Sequence, residues 1–375
     1  MHVPDGFINA PVSAATGAVA AVAVAVSLRG ARRELEGAGR GGTGAERTAP
    51  LAGLVAAFIF AVQMLNFPVA AGTSGHLLGG ALAAILVGPY TGVLCVSVVL
   101  LMQGVLFADG GLTALGVNIT DMAIVTTIVA YAIFRGLVKV LPRRRSSVTV
   151  ASFASALISV PAAAVAFTAL YALGGTADVS IGKVFTAMVG VHVLIGLGEA
   201  AITALTVGAV IAVRPDLVYG ARGLAKPLEL RTSPLDVPAP GADEVTTAAR
   251  EAEPVATAPA VAPRRSVRPV WLAGLAAALV CAGGISYYAS ASPDGLEKVA
   301  HDQGIDKKAQ EHAAKDSPLA DYSVKDIANA RLSGGLAGVI GVGATLAVGS
   351  GVFVVLRRRR AAGPVAAAGA AGERA

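Results

Sequence analysis

Charge is scarce in this chain. Only 14% of its 375 residues are charged, against about 25% in an ordinary soluble domain. Aromatic residues are few, at 5%, and there are only two cysteines, Cys95 and Cys281. Both lie inside apolar stretches, which excludes a disulfide framework and a thiolate metal site. No GxxxxGK[S/T] sequence occurs, so ATP is not bound through that loop, and no HExxH spacing points to a zinc hydrolase. Residues 1–10 carry no basic side chain and include Asp5, so the positive leader of a signal peptide is missing. Met1 is therefore expected to persist in the mature protein.

What is plentiful is apolar: 55% of residues are hydrophobic and the mean hydropathy is +0.68. Forty-five glycines are spread through these stretches, a density that suits close helix packing in lipid. Crossing a bilayer core takes about 20 apolar residues. Candidate spans fall at 11–28, 51–66, 76–88, 90–107, 113–134, 150–173, 184–213, 270–289 and 334–356. The stretch 76–88 is too short to cross unaided; it is a half-span, or it runs on into its neighbour despite Gly88-Pro89. None alternates with a period of two, so the expected fold is an all-α polytopic bundle of about six or seven spans, followed by a two-span hairpin.

Basic residues orient the bundle. With the N-terminus outside, 23 of the 30 Lys and Arg fall in 29–49, 135–147, 214–269 and 357–375, all on the inner side. The net charge of +6 is thus a matter of membrane topology, and nucleic acid is not expected as a partner. Residues 216–268, rich in Pro, Ala and Thr without periodicity, are expected to form a disordered cytoplasmic linker. The polar loop 290–333 would lie outside, between the last two spans, and the Ala-rich tail 361–375 is expected to be disordered.

Of five histidines, His2 is unusual by position. The Met1 amine, the His2 amide nitrogen and the His2 imidazole can close fused chelate rings about one ion. Such a nitrogen set suits Ni²⁺ or Cu²⁺, with Co²⁺ also served, and suits Mg²⁺ poorly. Alone, His2 is better read as a solvated side chain of no consequence. His76 changes the balance, because it lies in a Pro/Gly-rich re-entry, Phe67 to Gly80, between two apolar segments. Irregular backbone at that depth must be buried in protein or line a wet cavity, and an ionisable residue there is a functional candidate.

Met1-His2-Val3-Pro4-Asp5-Gly6-Phe7, the Gly72–Gly80 loop, Asp109–Asn118 and Val191–Ala200 together resemble the CbiM/NikM family, over residues 1–215. The resemblance implies a substrate-binding (S) component of an energy-coupling-factor transporter, not an enzyme, that takes up Co²⁺ or Ni²⁺ for cobalamin biosynthesis or nickel enzymes. The ion is the cargo, and no organic cofactor is expected. The implied ligands are the Met1 amine, the His2 amide nitrogen, the His2 imidazole and His76. The implied partners are a membrane coupling (T) subunit and cytoplasmic ATPases, within membrane lipid. Residues 269–360, with Pro293-Asp294-Gly295-Leu296-Glu297 opening the outer loop, are similar to the small PDGLE-containing subunit that assists metal loading or transport. Asp109, Asn118, Asp121, His192 and Glu199 are weaker candidates, as second partners of the ligands or as intramembrane contacts, and structural roles are favoured for all five. His301 and His312 are expected to be solvated. The rival reading is a self-sufficient secondary carrier, for which the duplicated halves and several intramembrane carboxylates are not evident.

Overall fold

The computed structural model describes residues 1–37, 45–70, 72–222 and 266–361. Its order is α1 (Ala10–Gly37), α2 (Ala45–Gln63), a two-stranded ribbon β1 (Phe67–Ala70) and β2 (Thr73–Gly75), and α3 (Gly80–Val87). Then come α4 (Pro89–Leu106), α5 (Leu115–Asn118), a π-helical turn (Ile119–Val125) and α6 (Thr126–Val140). The long pair α7 (Arg145–Gly174) and α8 (Ile181–Val213) follows, then α9 (Arg268–Gly283), α10 (Gly295–Gln303) and α11 (Ala330–Ala361). Among the described residues seven helices are long and apolar enough to span a membrane. Five of these precede residue 214, and two, Arg268–Tyr288 and Ala330–Leu356, belong to the C-terminal hairpin. The apolar part of α2, Pro50–Gln63, is shorter.

The stretch expected at 76–88 is a half-helix. All eight residues of α3 are buried, so its exposed backbone ends meet protein rather than lipid. Gly88, at φ 103°, breaks the chain where the Glu34 carboxylate approaches; a side chain there would collide with it. Glu34 in turn accepts from Tyr90 N (3.1 Å) and Thr91 N (2.8 Å), the open donors at the start of α4.

The re-entry before α3 is not wholly irregular. Phe67 to Gly75 forms a short antiparallel ribbon with Phe67 opposite Gly75 and Pro68 opposite Ser74, which the absence of alternation in the sequence did not suggest. At the start of the expected linker 216–268, two short 3₁₀ turns run over 215–217 and 219–221; 223–265 lie outside the described residues, as does the tail from 362 on. The hairpin is not held by the linker alone. Both α9 and α11 pack on α2, and the Trp271 indole donates to the Pro50 carbonyl (3.3 Å).

Candidate metal site

Before α1 begins, residues 1–8 run inward instead of fraying into solvent. Met1 is 2% exposed and His2 8%. Asn118, at the end of α5, holds Val3 by both backbone groups: Val3 N donates to Oδ1 (2.7 Å) and Nδ2 donates to the Val3 carbonyl (3.2 Å). Gly111 N also donates to Val3 O (2.9 Å). The Asp5 carboxylate accepts from Thr113 N (2.8 Å), Thr113 Oγ1 (2.5 Å) and Leu112 N (3.3 Å). The Val3 peptide groups and the Asp5 carboxylate are thus held by the 109–118 turn, while the Asp5 and Phe7 carbonyls accept from Gln310 N (2.8 Å) and Thr176 N (3.1 Å), so partners from three segments fix this buried non-helical backbone.

That anchoring carries the Met1 amine to His76. Met1 N and His76 Nε2 stand 2.8 Å apart, and the His2 and His76 rings lie 5.3 Å apart between centroids. The His76 Nδ1 pairs with the Leu77 carbonyl (3.0 Å), which leaves Nε2 as the acceptor facing the amine. Two nitrogens bound at right angles to one ion, with bonds of about 2.0 Å, lie roughly 2.8 Å from each other. The observed 2.8 Å is a hydrogen-bond distance and also matches that edge. Among the described residues no three His, Cys, Asp or Glu side chains converge on one point by themselves.

Asp109 sits beside His2, its Oδ1 3.3 Å from Nδ1, and its Oδ2 accepts from the Tyr322 hydroxyl (2.6 Å). Burial lowers the His2 pKa to about 4 despite that carboxylate, so the imidazole is neutral and open to an ion at neutral pH. Burial and the neighbouring Asp109 raise the Tyr322 phenol, keeping it a donor. Glu199, in α8, touches no nitrogen ligand. It accepts from Leu78 N (2.6 Å) and Gly79 N (3.2 Å) and so clamps the loop that carries His76. His192 gives Nδ1 to the Met188 carbonyl (2.7 Å). Its ring lies beneath Gly295, where an added Cβ would meet His192 Cε1 at 3.0 Å and Ile195 Cδ1 at 2.8 Å. Asp121, on the π-helical turn, is fully buried with neither oxygen hydrogen-bonded.

The residue that sequence reasoning missed is Asp294. Its Oδ2 is hydrogen-bonded to the Met1 ammonium and lies 3.5 Å from His76 Nε2. Burial would raise this carboxyl, but the ammonium and His76 override it and hold the pKa well below the ordinary range. The motif was visible as Pro293-Asp294-Gly295-Leu296-Glu297; its contact across 293 positions was not. His312 also differs from expectation, since it is part-buried with Nε2 on the Gly110 carbonyl (3.2 Å), whereas His301 is exposed beside Asp306. Together His2, His76, Asp109, Asp294, Glu297 and His312 line part of a cavity of about 640 Å³ between the two modules.

Residues 2–217 match the family model described as the cobalt uptake substrate-specific transmembrane region, CbiM, and residues 268–358 match the PDGLE domain. A protein of Haloquadratum walsbyi whose name assigns it to metal transport is 39% identical, over 58% of this chain and 94% of its own. A protein of Archaeoglobus fulgidus, named for fused nickel transport (NikMN), is 37% identical over 58% of this chain and 68% of its own. A crystal structure of a transition metal transporter superposes with a TM-score of 0.48 at 26% identity, covering 57% of this chain and 93% of that one.

Proposed function

The chain belongs to the CbiM family of cobalt-uptake transmembrane proteins, with a PDGLE domain fused behind it, and from that premise we propose that it is the substrate-capture component of an energy-coupling-factor importer for Co²⁺ or Ni²⁺. The ion is held by the Met1 amine, the His2 amide nitrogen, the His2 imidazole and His76 Nε2. The observation that carries this reading is the 2.8 Å approach of the Met1 amine to His76 Nε2, with both residues buried. Nitrogen donors in such an array favour late divalent transition metals over Mg²⁺ or Ca²⁺. Binding consumes a deprotonated amine, so affinity rises with pH.

The N-terminus faces outward, in keeping with the 23 of 30 basic residues on the opposite side. Residues 1–215 form the metal-binding membrane module, 216–268 the cytoplasmic linker and 269–360 the PDGLE module, whose loop 290–333 covers the site. A membrane coupling subunit and cytoplasmic ATPases supply the energy, and the ion leaves inward when the capture component reorients in the bilayer.

Metal analysis and competition titration on untagged protein test the site. One Co²⁺ or Ni²⁺ per chain is expected, lost when a residue is added before Met1 and lost in His76→Ala. Full-affinity binding in the extended protein would sink the N-terminal chelate. Uptake assays with and without ATPase partners test the energy source; undiminished uptake by the chain alone would make it a secondary carrier.

A further inference from the structure

Asp294 divides its two oxygens between two tasks. Oδ1 accepts from Glu297 N (2.8 Å) and the Glu297 carboxylate accepts from Asp294 N (2.9 Å), a reciprocal cap on α10. Oδ2 is left over, and it faces Met1 N and His76 Nε2, the two atoms that form one edge of the nitrogen set. An ion bonded to both nitrogens comes within reach of that oxygen. We propose that Asp294 Oδ2 is a fifth donor to the captured ion, set off the nitrogen plane and supplied by the C-terminal module. The inference rests on the nitrogen chelate proposed above and adds a ligand to it.

The position of Asp294 is built rather than incidental. The residues before it are tied to the His76 loop: Ser74 N donates to the Pro293 carbonyl (2.8 Å), and Ser74 Oγ to the Ser292 carbonyl (2.7 Å). The residue after it, Gly295, rests on His192 and Ile195 of α8. One segment thus holds a carboxylate in register with His76, although 218 positions separate the two. Asp109 also stands nearby, but its Oδ2 takes the Tyr322 hydroxyl and its Oδ1 approaches His2 Nδ1 (3.3 Å) rather than Met1 N or His76 Nε2. A carboxylate oxygen is a hard donor, so the array becomes four nitrogens and one oxygen. That favours a five-coordinate ion over a strictly planar one.

Nickel-edge X-ray absorption on the untagged full chain distinguishes the two arrays, because planar four-coordinate nickel gives a 1s→4p edge feature that an added axial donor suppresses. The variants are D294N, which retains an N-cap residue and the size of the side chain, and D294A, which removes every side-chain oxygen. Nickel per chain and thermal transition are recorded for all three proteins. Wild type is expected to bind one nickel with five donors and no planar feature, and both variants to show the planar feature with four donors. If the folded variants bind no nickel, the wild-type spectrum decides: five donors without the planar feature supports the carboxylate, and a planar four-donor site overturns it. The same spectrum and stoichiometry in all three proteins would overturn the fifth donor while leaving the nitrogen chelate standing. A wild type that binds no nickel at all would overturn the chelate itself, and the fifth donor with it.

Discussion

Asn118 has no atom for an ion in this arrangement, because both ends of its amide are spent on the Val3 backbone. Its contribution is to aim the two residues before it. Asn118→Ala leaves a buried Val3 N–H without its acceptor, at a cost of about 1–3 kcal/mol, and should weaken metal binding along with the thermal transition. His2 makes a prediction about acid. The unfolded chain protonates His2 at its ordinary 6.5, while the folded chain resists until about 4. Its contribution to stability is therefore full above pH 6.5 and is lost as pH falls toward 4, a loss on the order of 3 kcal/mol. Thermal unfolding of chelator-treated protein should show this slope, and His2→Gln should flatten it. The proposed nitrogen donors could be named from the sequence because their chemistry depends on residue type and position: an amine at residue 1, an imidazole at residue 2, an imidazole in a glycine-rich re-entry, with their convergence implied by the family resemblance. Asp294 was not legible as part of the site, since in sequence it reads only as a helix cap in a polar loop.

At the scale of elements, the decisive contact is between α8 and the turn before α3. Glu199 satisfies two backbone donors that the half-helix cannot satisfy itself. Glu199→Ala should cost roughly 2–4 kcal/mol and displace His76, lowering metal affinity together with the melting temperature. Glu199→Gln, which keeps one carbonyl acceptor, should lose less of both. The sequence disclosed most of these elements, because long apolar helices announce themselves by length alone; Gly88-Pro89 likewise marked the break after α3. The ribbon at 67–75 and the π-helical turn at 119–125 escaped notice. Each depends on partners in other helices, and neither has a periodicity of its own. Glu199 shows the same cause: its carboxylate lies where the backbone of a neighbouring loop needs an acceptor.

On the scale of the whole molecule, the two modules meet over an extended contact. Beyond Asp294, Gln310 N donates to the Asp5 carbonyl (2.8 Å), Asp321 N to Phe107 O (2.9 Å) and Ser290 N to Asn66 O (2.7 Å). Phe60, Phe107 and Tyr322 stack beneath, with Phe107 and Tyr322 centroids 4.9 Å apart. A protease site engineered within 240–260 should therefore yield two fragments that copurify in detergent and bind one metal ion between them. Fragments that separate on size exclusion would show that the covalent connection carries the association. In the sequence the two modules appeared as neighbours joined by a tether; their mutual packing needed contacts between α2 and a hairpin more than 200 residues later.

The half-helix α3 has a further consequence, for biogenesis. Eight residues rise only about 12 Å, less than half the hydrocarbon thickness, so α3 cannot partition into lipid as it leaves the ribosome. It has to wait in an aqueous or interfacial setting until α4, α6 and α7 are inserted and offer it a protein-lined slot. The His76 loop arrives with it. Asp294, made later still, reaches its place only after the C-terminal module is synthesised. The proposed ion site is thus completed late, since its last residue is made 218 positions after His76.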